Sequence, residues 1–210
     1  KIDNKKITIR AKDSAGLFYA FITLDQIIED SKNNQTTLPM VDIKDFPSLD
    51  FRPIHIDIKH HTEKKTYYFN LIDHLAKLKV NGIIVEFEDK LKYETRPEVG
   101  SSDSFSIDWW IELSEYAHAR NISINPLVQG LGHASFILKH KKNFHLRDKP
   151  ESDWAFNPLN PKTYELQFDL YLDAIKATPF GKYLHVGGDE VHLVQREGKS
   201  ELELNLIWLN

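Results

Sequence analysis

The sequence predicts an α/β fold, read as the N-terminal half of a (β/α)8 TIM barrel preceded by the end of a small α+β domain. Three observations carry this reading. From Phe51 onward, strand-length apolar runs alternate four times with helical periodicity. The second run, 82–87, is nearly continuously apolar, as in a parallel strand covered on both faces. Polar and charged residues cluster after all four runs, the rim at which a barrel builds its active site.

Taken in order, Ile7-Thr8-Ile9-Arg10 alternates like a short strand. Asp13 or Ser14 can cap a helix over 15–29 whose apolar face is Leu17, Phe18, Phe21, Leu24, Ile27 and Ile28. Residues 31–37 read as a turn and 38–43 as another strand. Asp45-Phe46-Pro47-Ser48 breaks the pattern. The boundary falls there, giving residues 1–45 as the C-terminal part of a truncated accessory domain and 46–210 as the first half of the barrel. The barrel reading has strands over 52–58, 82–87, 122–128 and 183–187. Helices are expected over 66–78, 107–119 and 164–177, the last led in by Pro161. An open doubly wound sheet is the competing architecture, but no glycine-rich dinucleotide loop follows the first strand.

Composition narrows the partners. The chain has 210 residues, enough for one sizeable core, and its 41% hydrophobic and 28% charged residues fit a globular protein. A net charge of −4 leaves no basic footprint for nucleic acid. The absence of cysteine excludes disulfides and thiolate zinc sites without fixing the compartment. No apolar run approaches membrane-spanning length. Lys1-Ile2-Asp3 does not look like a natural start, so a periplasmic or secreted location is favoured, with any export signal outside this chain. No cofactor or metal is expected, and nothing indicates an oligomeric state.

The four strand ends carry Asp57, His60 and His61, with Arg52 at the start of that first strand; then Glu86, Glu88 and Asp89; then Gln129 and His133; then His185, Asp189 and Glu190. Asp189 and Glu190 follow two glycines that free the backbone from the pleat, so both side chains can reach one cleft. At about 5 Å and an effective dielectric near 20, each charge opposes ionisation of the other by roughly 3 kcal/mol. Raising a glutamate from about 4.3 to about 6 takes only roughly 2 kcal/mol. One group can then be a protonated acid beside an ionised partner, as cleavage of a glycosidic bond requires. A solvated turn is the plain alternative. The Gly-Gly-Asp-Glu-Phe signature of diguanylate cyclases is another, but Val191 replaces its Phe and no return strand follows. His55-Ile56-Asp57 admits a zinc reading, although no His-x-His pair accompanies it.

The ordered motifs resemble glycoside hydrolase family 20, the β-N-acetylhexosaminidases, over about residues 5–195. His185-Val186-Gly187-Gly188-Asp189-Glu190-Val191 looks like the family's acid/base motif. Asp45-Phe46-Pro47 with Phe51-Arg52 and Ile56-Asp57 looks like its entry into the first barrel strand. Lys79-Val80-Asn81 and Gly132-His133 are also similar. The segments 86–94 and 126–133, with Leu138-Lys139-His140, resemble the hexosaminidase D-like branch. Ala15-Gly16-Leu17-Phe18-Tyr19-Ala20 is similar to the end of the small domain that precedes this barrel.

The resemblance implies release of terminal β-linked N-acetylhexosamine with retention, from glycans or glycoconjugates. The sugar's own 2-acetamido oxygen attacks the anomeric carbon, an exception to the two-carboxylate scheme. Glu190 would be the acid/base. Asp189 would orient the acetamido N–H and stabilise the oxazolinium-like charge. Arg52 would hold sugar hydroxyls, His185 would contact the substrate, and an Asp89–His133 pair would support Glu190. Pro53, Leu131 and the lack of a Cys-Trp after the motif depart from the common pattern and put the substrate in doubt. The family's acetamido-binding tyrosine and pocket tryptophans have no match here. Trp109, Trp110 and Trp154 read as packing or rim residues. The rival from another class is a non-catalytic carbohydrate-binding or structural barrel fragment.

Overall fold

The computed structural model describes residues 1–59 and 61–210. His60 lies outside the described residues. The chain begins with α1 (Ser14–Asn33), followed by β1 (Pro53–Asp57), α2 (Lys65–Lys77) and β2 (Gly82–Glu86). Next come two-residue strands β3 (Leu91–Lys92) and β4 (Phe105–Ser106), α3 (Ile107–His118) and β5 (Ser123–Gly130). After these stand α4 (Ser135–Leu138), α5 (Pro161–Ala177), β6 (His185–Gly187) and α6 (Glu201–Leu209).

The main sheet runs β1-β2-β5-β6 with every pairing parallel. Each strand adds beside its predecessor and the order never reverses. A doubly wound sheet reverses at its switch point, so that architecture is excluded for this sheet. The parallel β5–β6 pairing also removes the cyclase reading, whose motif sits on a hairpin.

Side-chain parity sorts the sheet's two faces. In β1, Ile54 and Ile56 pack into the core while His55 and Asp57 face outward. The core lies between the other face and α2, α3 and α5, where Phe87, Trp110, Ile124 and Leu170 are buried. Trp110 meets Phe87 at 4.7 Å and Trp109 at 4.8 Å between ring centroids. Both tryptophans are packing residues.

The N-terminal segment differs from expectation. Asp13 does cap α1, its Oδ1 accepting from Gly16 N at 2.7 Å. The expected strands over 7–10 and 38–43 shrink to isolated bridges, Ile2 with Ile7 and Ile2 with Val41. One residue serves as partner to both segments, so neither extends into a ladder. On α1, Leu17 and Phe21 of the expected apolar face stand exposed, and only Phe18 packs against the main core. Sequence periodicity alone also leaves out β3, β4, α4 and α6. The last is closed at its N-terminus by a capping box between Ser200 and Glu203.

Candidate active site

The C-terminal ends of β5 and β6 carry the central group. β5 and β6 are in register at Leu127↔His185 and again at Gly130↔Gly187, so β5 contributes one extra residue, a bulge. Gly187 and Gly188 then take φ of 71° and 97°, which bends the chain off the sheet. A Cβ at Gly130 would lie 2.4 Å from Tyr171 Oη and 2.8 Å from Trp208 Cζ2. Trp208, on α6, is thereby seated beneath the motif, with its Nε1 donating to Gln167 Oε1 at 3.0 Å.

This turn presents both carboxylates to His133. Its Nε2 lies 3.3 Å from Asp189 Oδ2 and 3.5 Å from Glu190 Oε2. Neither approach is aligned as a hydrogen bond, and Nε2 is otherwise buried without one. Trp154 forms the wall: its ring stands 4.4 Å from the His133 ring, and its Nε1 donates to the Glu190 carbonyl at 3.2 Å. The carboxylates themselves are open, with 62% of the Asp189 and 74% of the Glu190 side chain exposed.

Four of the eight non-glycine residues at positive φ among the described residues stand at this rim, while Gln35, Lys79, Asn121 and Glu197 lie elsewhere. Glu88 after β2, Leu131 and His133 after β5, and Glu190 after β6 all have φ between 40° and 61°. Non-glycine residues enter this left-handed region at a cost that the surrounding structure must hold in place.

A second cluster lines the ends of β1 and β2. The buried Glu86 carboxylate receives Gln129 Nε2 at 2.9 Å, with His55 Nε2 at 3.1 Å and Lys59 Nζ at 3.6 Å. Lys59 also reaches Asp57 at 2.9 Å. His55 is thus held by Glu86 rather than aligned with Asp57 as the zinc reading expected. Among the described residues no group of three His, Cys, Asp or Glu is arranged to hold a metal. Glu88 beside this cluster is pushed up to about 7, first by burial. Glu86, Asp57 and Asp89 add to the rise and Lys59 opposes it.

Two expected placements change, those of Arg52 and of the Asp89–His133 pair. Arg52 sits before β1, at the end of the sheet opposite the motif. Its guanidinium donates to the carbonyls of Lys79 at 3.1 Å and Leu49 at 2.7 Å and stands over the Tyr19 ring. Asp89 and His133 do not pair among the described residues. Lys90, the next residue, lies 3.3 Å from Asp89 and Lys139 lies 3.7 Å from it, while His133 turns to the motif. His185 is committed at Nδ1, which accepts from Gly187 N at 3.0 Å and so braces the turn.

Comparison with known proteins identifies the family. Residues 1–46 match the family description "Glycosyl hydrolase family 20, domain 2", and residues 49–205 match "Glycosyl hydrolase family 20, catalytic domain". Hexosaminidase D of Bos taurus is 29% identical over 142 residues, covering 67% of this chain and 41% of that protein. The Homo sapiens Hexosaminidase D is 28% identical over the same share of this chain and 29% of its own length. The chain therefore spans less than half of these relatives. The GH20 β-N-acetylhexosaminidase of Streptomyces coelicolor A3(2) superposes with a TM-score of 0.75 at 20% identity, over 95% of this chain and 45% of that one. That likeness identifies the fold, so the open parallel sheet is part of a (β/α)8 barrel. With the catalytic-domain description spanning most of its residues, the chain belongs to glycosyl hydrolase family 20.

Proposed function

We propose that this chain carries the acid/base half of a retaining β-N-acetylhexosaminidase site that works by substrate assistance. The supporting observation is the placement of Asp189 and Glu190 on one strained turn at the barrel rim, both within 3.5 Å of His133 Nε2. One relative's name, beta-N-acetylhexosaminidase, supplies the β-linked N-acetylhexosamine, and the motif resemblance supplies its terminal place on a glycan or glycoconjugate.

In this reading the 2-acetamido oxygen attacks the anomeric carbon and Glu190 gives its proton to the departing oxygen. The oxazolinium intermediate then forms beside the Asp189 carboxylate, an anion placed where positive charge develops. Glu190 next takes a proton from water, which opens the intermediate with overall retention. His133 stands behind the pair, its Nε2 within 3.5 Å of both carboxylates, and is placed to orient them. Arg52 has no part in sugar binding, because its guanidinium is engaged at the other end of the sheet.

The same reading assigns residues 1–45 to the accessory α+β domain and 46–210 to one part of the catalytic unit. The sheet is open at β1 and β6, and exposed carboxylates are screened by water. Turnover by residues 1–210 alone should be far below that of the natural protein carrying this chain.

The test compares leaving groups. In the natural protein, Glu190→Gln should lower kcat about 100-fold or more on a poor leaving group and much less on an activated phenolate. Asp189→Asn should impair both, because intermediate formation is common to them. Equal losses for Glu190→Gln on the two substrates would reject its role as the acid.

A further inference from the structure

Between the β1–β2 cluster and the motif lies one buried amide, that of Gln129. Its Nε2 donates to Glu86 Oε1 at 2.9 Å. Glu86 is also faced from β1 and the following turn by His55 at 3.1 Å and Lys59 at 3.6 Å. A carboxyl oxygen in that position accepts, so the amide presents its NH2 to Glu86 and its oxygen away from it. That oxygen is buried and has no hydrogen-bond partner. It abuts Gly187, where an added Cβ would lie 2.0 Å from Oε1. Gly187 is also the first residue at positive φ on the way out of β6. An unpartnered buried carbonyl pressed on a glycine calls for a reason.

We propose that Gln129 is a positioning residue for the acid/base pair. Anchored on Glu86, its amide is the stop that sets where the chain turns at Gly187, and so where Asp189 and Glu190 stand against His133. The inference rests on the reading of Glu190 as the acid. Proton transfer requires the donor within hydrogen-bond reach of the leaving oxygen, and a displacement near 1 Å costs on the order of 100-fold. The bulge in β5 is what brings Gln129 to this place, because it offsets the residues between Leu127 and Gly130 from those of β6.

The experiment uses the natural protein carrying this chain and aryl N-acetyl-β-hexosaminides with good and poor leaving groups. Gln129→Leu should lower kcat on the poor leaving group by about 100-fold, with a much smaller loss on the good one and KM little changed. Gly187→Ala should show the same asymmetry. Adding Gln129→Ala to it should recover part of the loss, since the new Cβ then has room. If Gln129→Leu does not fold, Gln129→Met keeps the length without the amide and reads the same split. Equal losses on both substrates, losses that follow the fall in Tm, or strict additivity of the Gly187 and Gln129 changes would overturn the proposal. Wild-type turnover with a damaging Glu190→Gln and a harmless Gln129→Leu would refute positioning alone. A wild-type protein that hydrolyses none of these substrates would refute the underlying reading, and this inference with it.

Discussion

The two ends of the sheet carry similar residues in opposite states. At the N-terminal end, Lys79 Nζ donates to Thr23 and Asp45, and this hydrogen bond holds the Asp45 carboxyl below its ordinary range. Asn81 accepts from Arg52 N and donates to the Asp50 carbonyl, and the Arg52 guanidinium is bonded to backbone. These polar groups tie residues 1–50 to the bottom of the barrel strands. At the C-terminal end, His133 Nε2, Asp89 Oδ1 and Gln129 Oε1 are buried without a hydrogen bond, and Asp189 and Glu190 stand open. Buried polar groups in folded proteins are ordinarily paired. The end that satisfies its polar groups internally is holding the molecule together, and the end that does not is arranged for something else.

The comparison is most directly broken by exchanging damage between the ends. His133→Ala should lower kcat about 100-fold on a poor leaving group while leaving Tm nearly unchanged, because its ring makes few bonds that folding needs. Arg52→Ala should do the reverse. Losing charge-assisted bonds to backbone carbonyls should destabilise the fold by about 2 kcal/mol, with kcat/KM of the folded protein near wild type. A large KM increase for Arg52→Ala at unchanged stability would restore it to sugar binding and erase the distinction.

A smaller effect sharpens the upper end. Trp154 holds the Glu190 carbonyl through one hydrogen bond and leans on His133. Trp154→Phe keeps the ring contact and removes the donor. The expected loss in kcat is roughly two- to fivefold, the value of one neutral hydrogen bond. Unchanged rates would mean that the Gly187–Gly188 turn fixes Glu190 without it.

How much of this was legible follows from what each feature depends on. The β/α succession depends on periodicity and turn residues, which are local, so the four strands and α2, α3 and α5 are readable within a few residues. Asp189 and Glu190 are readable because the preceding glycines and apolar run are adjacent in sequence. Arg52 carried a usable signal in its position: it precedes the strand, and parallel strands keep their rim at the other end. The Asp89–His133 pairing depends on side-chain directions in an irregular turn, where neighbouring Lys90 competes for Asp89. Gln129 and Glu86 are visible as strand-end residues, but their contact depends on the bulge in β5, which no periodicity reveals. Ser200 and Glu203 at capping-box spacing mark the start of α6 and thereby the element that seats Trp208.

The smallest effect concerns the boundary between the two states, at Glu88. Burial pushes this carboxyl up to about 7; the nearby Glu86, Asp57 and Asp89 charges add to the rise and Lys59 opposes it. In an unfolded chain it titrates near the ordinary value of about 4.3. Below that pH both states hold the proton. From about 4.3 to about 7 the folded protein holds it and the unfolded chain does not, so the stability tied to protonation is progressively lost as pH rises. Above about 7 both states are ionised and the loss is complete. Glu88→Gln keeps the shape and removes the titration. The variant's Tm minus that of wild type should therefore climb across this window and level off above it. Because Glu88 is partly open to water, screening keeps the total near about 2 °C. Melting curves of both proteins between pH 4 and 8 measure it. A difference that stays flat would show that Glu88 reaches solvent freely, and would leave the carboxylates at the ends of β1 and β2 outside the set of unsatisfied groups that distinguishes this end of the sheet.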